Sequence, residues 1–187
     1  MTVTLYKWSI ERYHTAIAAG VFDDQPVELL QGDLVVIAPE GTAHAAFSSD
    51  AADYLRRLLG DRAQIRDAKP ITLPNASEPQ PDLAIVKPLG SVYRSHHPYP
   101  EDIFWVIEYA QSTLAKDLGQ KQQIYAEAGI QEYWVVNLQE FHLRIFRDLQ
   151  TDQYTSGQYA TDLTLTQGTI APLAFPEIAV EVPRLFS

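Results

Sequence analysis

The sequence predicts an α/β fold of mixed α+β type, in which helices pack on a mixed β-sheet. Residues 103–109, IFWVIEY, are apolar except for Glu108, as expected of a central strand covered on both faces. Residues 27–39, VELLQGDLVVIAP, predict an antiparallel hairpin with a turn at Gly32 and Asp33. At 187 residues the chain is long enough to bury a sizeable core, and we predict one domain spanning residues 1–187.

The remaining elements follow from local signals along the chain. Ser9 is a typical N-cap for a helix that ends at Ala19, before Gly20. A long helix with Thr42 as its N-cap is predicted to run to about Leu59. Its expected buried face consists of Phe47, Ala51, Tyr54 and Leu58. Further predicted strands lie at residues 62–68, 69–73, 83–86, 131–138, 141–148, 153–159 and 164–173.

Composition excludes several classes of protein and site. The absence of cysteine excludes disulfides, thiolate zinc sites and cysteine nucleophiles, and it is compatible with a reducing cytoplasm. No signal-peptide core or membrane-length apolar run is present, so a cytoplasmic protein without a membrane partner is expected. The net charge of −10 counts against broad nonspecific adhesion to nucleic acid, although a local basic groove or bound metal can override it.

Three charged residues occur in apolar surroundings. Lys121 lies at the centre of the helical stripe that Leu114, Leu118, Tyr125 and Ala128 form. A lysine there requires a buried anionic partner or a function. Asp82 stands where a loop enters a strand, and Glu108 lies inside the most apolar strand. If these strands are neighbours, the two carboxylates converge and suit a hard cation such as Mg²⁺.

Other interpretations of these residues stay open on spacing alone. Glu108 and Lys121 could form a structural ion pair, with Asp82 merely starting a turn. Asp117 and Lys121 could form a surface pair at i,i+4, but that does not explain the apolar neighbours Leu118 and Tyr125.

Three further positions carry weaker signals. His44 lies near the first turn of the long helix, where it could contact a metal or phosphate, or could be a core histidine. Glu28, inside VELL, is either a third carboxylate of the cleft or an outward-facing strand residue. His96 and His97 are adjacent in the long loop of residues 87–101, where solvated side chains are the usual outcome. No phosphate-binding glycine loop and no G-x-S-x-G motif are present.

Four blocks in order resemble the Uma-two family of restriction-endonuclease-like proteins, within the PD-(D/E)XK nuclease superfamily. The resemblance covers about residues 9 to 147 and continues more loosely to residue 187. The blocks are VELLQGDLVVIAPEGTAH, PDLAIV, HPYPEDIFWVIEYAQSTLAKDLGQK and YAEAGIQEYWVVNL.

The resemblance implies a restriction-endonuclease-like core and Mg²⁺-dependent hydrolysis of phosphodiester bonds in DNA, with Mn²⁺ able to replace Mg²⁺. It implies that Asp82, Glu108 and the backbone carbonyl of Tyr109 hold the metal. The superfamily lysine normally follows the acid by two residues, where this chain has Ala110. The related family carries a lysine on the next helix, and Lys121 matches it.

The resemblance also implies that Glu28, His44 and Asp117 line the site. It points to a homodimer, for which the aromatic residues of EYW, residues 132–134, and of the 93–99 loop are candidate interface residues. Two alternatives to a DNA endonuclease remain. The chain could be an inactive nuclease-fold binding or assembly module, as Ala110 and the net charge indicate. It could also hydrolyse another phosphoester or a nucleotide.

Overall fold

The structure, a computed structural model, describes residues 4–152 and 155–187. Helix α1 (Ile10–Ala18), the hairpin of β1 (Val27–Leu30) and β2 (Asp33–Val36), and helix α2 (Thr42–Leu59) come first. The main sheet contains β3 (Gln64–Asp67), β4 (Leu83–Val86), β5 (Ile103–Ala110), β6 (Glu132–Asn137), β7 (His142–Asp152) and β8 (Thr155–Leu165). Between β5 and β6 lie α3 (Leu114–Lys116), a π-helical turn (Asp117–Lys121) and α4 (Gln122–Glu127). The short strands β9 (Thr169–Ile170) and β10 (Val180–Glu181) form a separate pair.

The six main strands follow one another across the sheet in chain order, from β3 to β8. Strands β5 and β6 are parallel, whereas every other neighbouring pair is antiparallel. The parallel pair requires a crossover, and the helical segment of residues 114–127 provides it. The predicted mixed sheet flanked by helices is therefore confirmed, with IFWVIEY as an inner strand.

The amino-terminal elements form largely as predicted. The Ser9 side chain accepts a hydrogen bond from the backbone N–H of Arg12 and so caps α1. Strands β1 and β2 pair antiparallel, but their turn lies at Gln31 and Gly32, one residue earlier than expected. Both turn residues have positive φ, at 49° and 79°, which glycine adopts at little cost.

Helix α2 ends at Leu59 as predicted, but its N-cap is Gly41 and not Thr42. Its most buried row of residues also differs from the prediction. The fully buried side chains are those of Ala51, Ala52, Leu55 and Leu59. The predicted Phe47, Tyr54 and Leu58 are only partly buried at the edge of the same core. The buried row thus includes two small alanines, and the larger side chains of Phe47, Tyr54 and Leu58 cover the edge of this core.

Three predicted strands need comment. The strand predicted at residues 164–173 is not continuous, because β8 ends at Leu165 and, within this range, only Thr169–Ile170, which form β9, are extended and paired after it. Residues 69–73 are not a strand, because the backbone N–H groups of Ile71 and Thr72 bond to Pro79 and Pro98 in two different loops. The predicted strand at residues 153–159 begins at residues 153 and 154, which lie outside the described residues; from Thr155 onwards β8 confirms it.

The side chains of β5 alternate between two cores. Trp105, Ile107 and Tyr109 pack on the α2 side of the sheet. Val106 and Ala110 pack on the opposite side, with Ile124 and Tyr125 of α4. Alternation therefore directs Glu108 towards the crossover helices. Across the described parts of the chain, no helix has the length and apolar composition needed to cross a membrane.

Candidate functional site

A cleft of about 350 Å³ opens between the β1–β2 hairpin, the start of α2, the ends of β4 and β5, and the crossover. All seven residues that the sequence singled out for the site line this cleft. They are Glu28, His44, Asp82, Glu108, Tyr109, Asp117 and Lys121. The sequence reasoning thus brought together residues that are up to 93 positions apart, from Glu28 to Lys121.

The two predicted metal carboxylates lie side by side at one edge of the sheet, with Glu108 in β5 and Asp82 immediately before β4. Leu83 pairs with Ile107, and the same antiparallel register continued by one residue places Asp82 opposite Glu108. The backbone N–H of Tyr109 donates to Asp82 Oδ2, which fixes that carboxylate at the end of β5. The position of the Tyr109 carbonyl as a metal ligand stays a prediction.

The side chain of Lys121 reaches the carboxylate of Glu108 in β5. It therefore points towards the core, as its position on the apolar face of the helix predicts. Its Nζ donates to Glu108 Oε1 at 2.8 Å and lies 3.6 Å from Glu28 Oε2. The lysine side chain is only 5% exposed. Lys121 ends the π-helical turn, a local widening of the helix that occurs often at functional sites.

Glu28 forms the opposite wall of the cleft and is 2% exposed. Lys116 Nζ lies 3.0 Å from Glu28 Oε1, and the backbone N–H of Gln80 donates to Glu28 Oε2 at 3.2 Å. Of the two alternatives for Glu28, the cleft position is the one observed.

His44 contacts Asp82 from helix α2. Its Nε2 lies 2.9 Å from Asp82 Oδ1, and its ring is 6.0 Å from the ring of Tyr109. The hydrogen bond with Asp82 raises the pKa of His44 above its ordinary value, and burial only partly opposes that shift.

The cleft concentrates negative charge. Burial raises the pKa of Glu108 well above its ordinary range; Lys121 opposes the shift, while Asp82 and Asp117 add to it. Burial also raises the pKa of Asp117, whose carboxylate accepts a hydrogen bond from the Thr113 hydroxyl. Burial alone would lower the pKa of Lys121, but the nearby carboxylates outweigh it, so the pKa rises and the ammonium stays charged.

The donor set fits a divalent cation. Five carboxylates line the cleft together with two lysines, Lys116 and Lys121; the carboxylates are those of Glu28, Glu40, Asp82, Glu108 and Asp117. With every carboxylate ionised and His44 neutral, the excess is three negative charges, of which one divalent ion would neutralise two. Both hydrogen bonds described for Glu108 end on Oε1, so its other oxygen has the capacity to bind a cation.

Three residues of the site were missed as functional candidates. Tyr125 was expected only to pack, yet its hydroxyl donates to Glu108 Oε1 at 2.7 Å; its spacing of four residues from Lys121 was an available signal. Lys116 lies off the apolar stripe, so helical periodicity gave no indication of it. Glu40 lies four residues before His44, and the two share the cleft with Asp82.

The aromatic residues considered for an interface lie in different environments. Tyr133 and Trp134 of EYW are fully buried at 0% exposure, so the prediction that they face a partner is wrong. In the loop, Tyr99 is 39% exposed and stacks on His96. His96 and His97 line another cavity, of about 420 Å³, together with His14.

Comparison with known proteins identifies the family. The sequence model of the Uma2 family, described as "Putative restriction endonuclease", matches residues 10–183. The structure is also similar to a crystal structure from Anabaena variabilis ATCC 29413, titled as "a putative nuclease belonging to DUF820". The TM-score is 0.64 at 15% identity, over 87% of this chain and 90% of that chain, which supports the fold. Comparison with curated proteins gives no match. Because the family match spans almost the whole chain and includes the entire cleft, this protein belongs to the Uma2 family.

Proposed function

We propose that this protein is a metal-dependent endonuclease that hydrolyses phosphodiester bonds in DNA. The observation that carries the proposal is the buried contact of 2.8 Å between Lys121 Nζ and Glu108, in the same cleft as Asp82. A lysine and two carboxylates on neighbouring elements are the groups that this chemistry requires. Family membership supports the same reaction class.

Asp82 and Glu108 are the proposed metal ligands, together with the backbone carbonyl of Tyr109. Mg²⁺, or Mn²⁺ in its place, would polarise a phosphoryl oxygen and lower the pKa of a bound water. Oxygen ligands of this kind suit a hard cation. Lys121 is proposed to orient the attacking water and to stabilise the negative charge that develops during in-line attack.

The position of Lys121 supports its role as a replacement for the lysine that is missing at Ala110. Ala110 is fully buried and has no polar side chain. Both residues lie on the same side of the sheet, since Ala110 packs in the core on the crossover side. The ammonium group of Lys121 therefore reaches the Glu108 carboxylate from the crossover segment. A lysine at position 110 of β5 would lie beside the same carboxylate.

A cleavage assay tests the proposal. The purified protein should nick or linearise plasmid DNA with Mg²⁺ or Mn²⁺, and EDTA should stop the reaction. Asp82→Asn and Lys121→Ala should each reduce the rate by a factor of at least about 100, by analogy with the loss of one group that stabilises charge in the transition state. The exposed residues Asp24 and Lys87 supply matched controls, Asp24→Asn and Lys87→Ala, which should keep the wild-type rate. Unchanged cleavage by both cleft variants would refute the assignment.

The alternative is a noncatalytic binding or assembly module. It is favoured by the net charge of −10. It is also favoured by the hydrogen bonds that Lys121 and Tyr125 donate to Glu108, because these stabilise the buried carboxylate without a metal. Folded protein that cuts neither DNA nor a panel of phosphoesters and nucleotides, with either metal, would establish this alternative.

We also propose that the protein is a cytoplasmic homodimer. The family resemblance supports dimerisation, and the exposed Tyr99 is an aromatic candidate for the interface from the 93–99 loop. Sedimentation equilibrium at micromolar concentration should give twice the chain mass of 21.0 kDa. A monomer mass would contradict the proposal.

A further inference from the structure

We propose that the cavity beside the 93–99 loop binds a nucleoside monophosphate, with the phosphate inside the cavity and the base against the ring of Tyr99. The cavity has a volume of about 420 Å³, which is large enough for a small ligand. It shares no described lining residue with the cleft of the proposed nuclease centre. The inference therefore does not depend on DNA cleavage.

The lining of this cavity favours an anion. It contains one arginine and three of the five histidines of the chain, namely Arg94, His14, His96 and His97. The other polar residues of the lining carry hydroxyl groups, and none of the described lining residues is acidic. In a chain with a net charge of −10, a surface without carboxylates and with these donors is suited to a phosphate.

Two arginines supply fixed positive charge. Arg94 lines the cavity itself. The guanidinium carbon of Arg66 lies 5.3 Å from the centroid of the Tyr93 ring, and Tyr93 belongs to the lining. In the described part of the chain, neither arginine pairs with a carboxylate, and burial lowers the pKa of Arg66 below its ordinary value. A partly buried cation without a counter-ion is stabilised by a phosphate nearby.

A buried carboxylate outside the lining positions one of the histidines. Glu78 is 2% exposed and accepts hydrogen bonds from His14 Nε2, at 2.8 Å, and from the Thr72 hydroxyl, at 2.7 Å. These two donors compensate the negative charge of Glu78. They also fix the His14 ring so that Nδ1 is the nitrogen left for a ligand.

Tyr99 provides a surface on which a base can stack. One face of its ring already stacks on His96, with centroids 4.7 Å apart and an angle of 19° between the planes. Tyr99 is 39% exposed and also lines a second cavity of about 800 Å³, whose walls include Leu73, Pro74 and Pro100. Because Tyr99 lines both cavities, one ligand can place a phosphate in the first and a planar base in the second. Stacking on an aromatic ring suits any base, so the class of ligand is a nucleotide.

A transition-metal site would be another use of three histidines, but the geometry disfavours it. In the described residues, these histidines do not place three donor atoms within 4.8 Å of one another. The ring centroids of His14 and His97 are 6.5 Å apart, and His96 Nδ1 donates to the carbonyl oxygen of His97 at 2.8 Å. Without a carboxylate in the lining, an anion is the better match.

NMR spectra of the imidazole nitrogens test the site directly, because histidines lie both inside and outside the cavity. AMP, titrated into protein with labelled histidine in the presence of EDTA, should shift the signals of His14, His96 and His97. The signals of His44 and His142, which lie outside the cavity, should not move. Adenosine and inorganic phosphate each supply one half of the ligand, and each should bind at least about tenfold more weakly than AMP.

Two variants with exposed side chains separate the two halves of the ligand. Arg94→Ala should weaken the binding of AMP and of phosphate by about tenfold. Tyr99→Ala should weaken the binding of AMP by about tenfold and leave phosphate binding unchanged. Arg57→Ala, which removes an exposed arginine of α2, is the matched control and should bind AMP as the wild type does.

The source of the nucleotide is identified in the same titration. If a 5′-phosphorylated trinucleotide shifts the same three histidines at a lower concentration than AMP, the ligand is the end of a strand; if it binds more weakly, the ligand is a free nucleotide. A nucleotide on the Tyr99 ring would leave the proposed dimer to form through another surface.

Several results would overturn the inference. They are the absence of shifts in the cavity histidines at millimolar AMP, shifts confined to His44, AMP binding that Arg94→Ala and Tyr99→Ala both retain, and phosphate binding as tight as that of AMP. Protein that cuts DNA but does not bind AMP would refute this inference and leave the proposed nuclease function standing. Protein that binds AMP at these histidines without cutting DNA would do the reverse.

Discussion

Replacing Lys121 by methionine should destabilise the protein strongly at pH 8. The lysine Nζ lies between Glu108, at 2.8 Å, and Glu28, at 3.6 Å. The two carboxylate side chains are 4% and 2% exposed, so neither can recover its hydration when the lysine is removed. Methionine keeps most of the apolar volume. We therefore expect the free energy of unfolding to fall by about 3–5 kcal/mol, which is typical of removing one partner of a buried ion pair.

The loss should depend on pH, with a definite sign. Burial raises the pKa of Glu108 above its ordinary value of 4.5, so the folded protein holds this proton more tightly than the unfolded chain. The stability contributed by that proton is complete below about pH 4.5 and is lost as the pH rises through the folded pKa. Lys121 opposes the raised pKa, so its removal raises the pKa further. The variant should lose more stability than the wild type between pH 5 and pH 8.

Urea unfolding followed by tryptophan fluorescence measures the effect, because Trp105 and Trp134 are fully buried at 0% exposure. The double variant Lys121→Met/Glu108→Gln removes both charges and should regain most of the lost stability. Lys7→Met is the control: Lys7 pairs with Asp33 at the surface, where the two side chains are 50% and 46% exposed, so we expect a loss below about 1 kcal/mol. A loss below about 1 kcal/mol for Lys121→Met at pH 8, or no recovery in the double variant, would refute the reasoning.

Two further predictions concern His44 and Gly157. The Asp82→Asn variant should lower the pKa of His44 in an NMR titration, because the Asp82 hydrogen bond is the main cause of the raised pKa; an unchanged pKa would contradict that cause. Gly157→Ala should cost about 2 kcal/mol or more in thermal or urea unfolding, since its new Cβ would lie 2.3 Å from the carbonyl oxygen of Ala126. The control Gly119→Ala meets nothing within 4 Å, and equal losses from the two substitutions would argue against the clash.

The charged trio could be predicted because its signals are local. Lys121 stands out within one helical stripe, and Glu108 within one apolar strand. Asp82 became part of the same site through strand pairing, which the sequence allowed but did not require. The structure supplies the register that places Asp82 opposite Glu108.

The remaining features depend on tertiary packing. The apolar face of α2 is wide enough for either of two adjacent rows of residues to pack against the sheet. In the structure, the row that contains Ala51 and Ala52 is the buried one. Lys116 joins the cleft because the crossover lies against the β1–β2 hairpin, and Glu28 is its partner there. No periodicity within one element encodes such a contact between segments that are 88 residues apart.

The parallel pairing of β5 and β6 has a consequence for how this chemistry can change during evolution. The connecting segment must return across one face of the sheet, so its inner surface stays opposite the strand it has just left. Glu108 and Lys121 are only 13 residues apart and belong to one continuous β–helix–β unit. A basic group can therefore be exchanged between the strand and the helix by two point substitutions, with neither the chain path nor the acidic residue altered. For the proposed nuclease centre, the crossover thus offers two positions, 110 and 121, from which a lysine would adjoin Glu108, whereas Asp82 arrives from outside this unit.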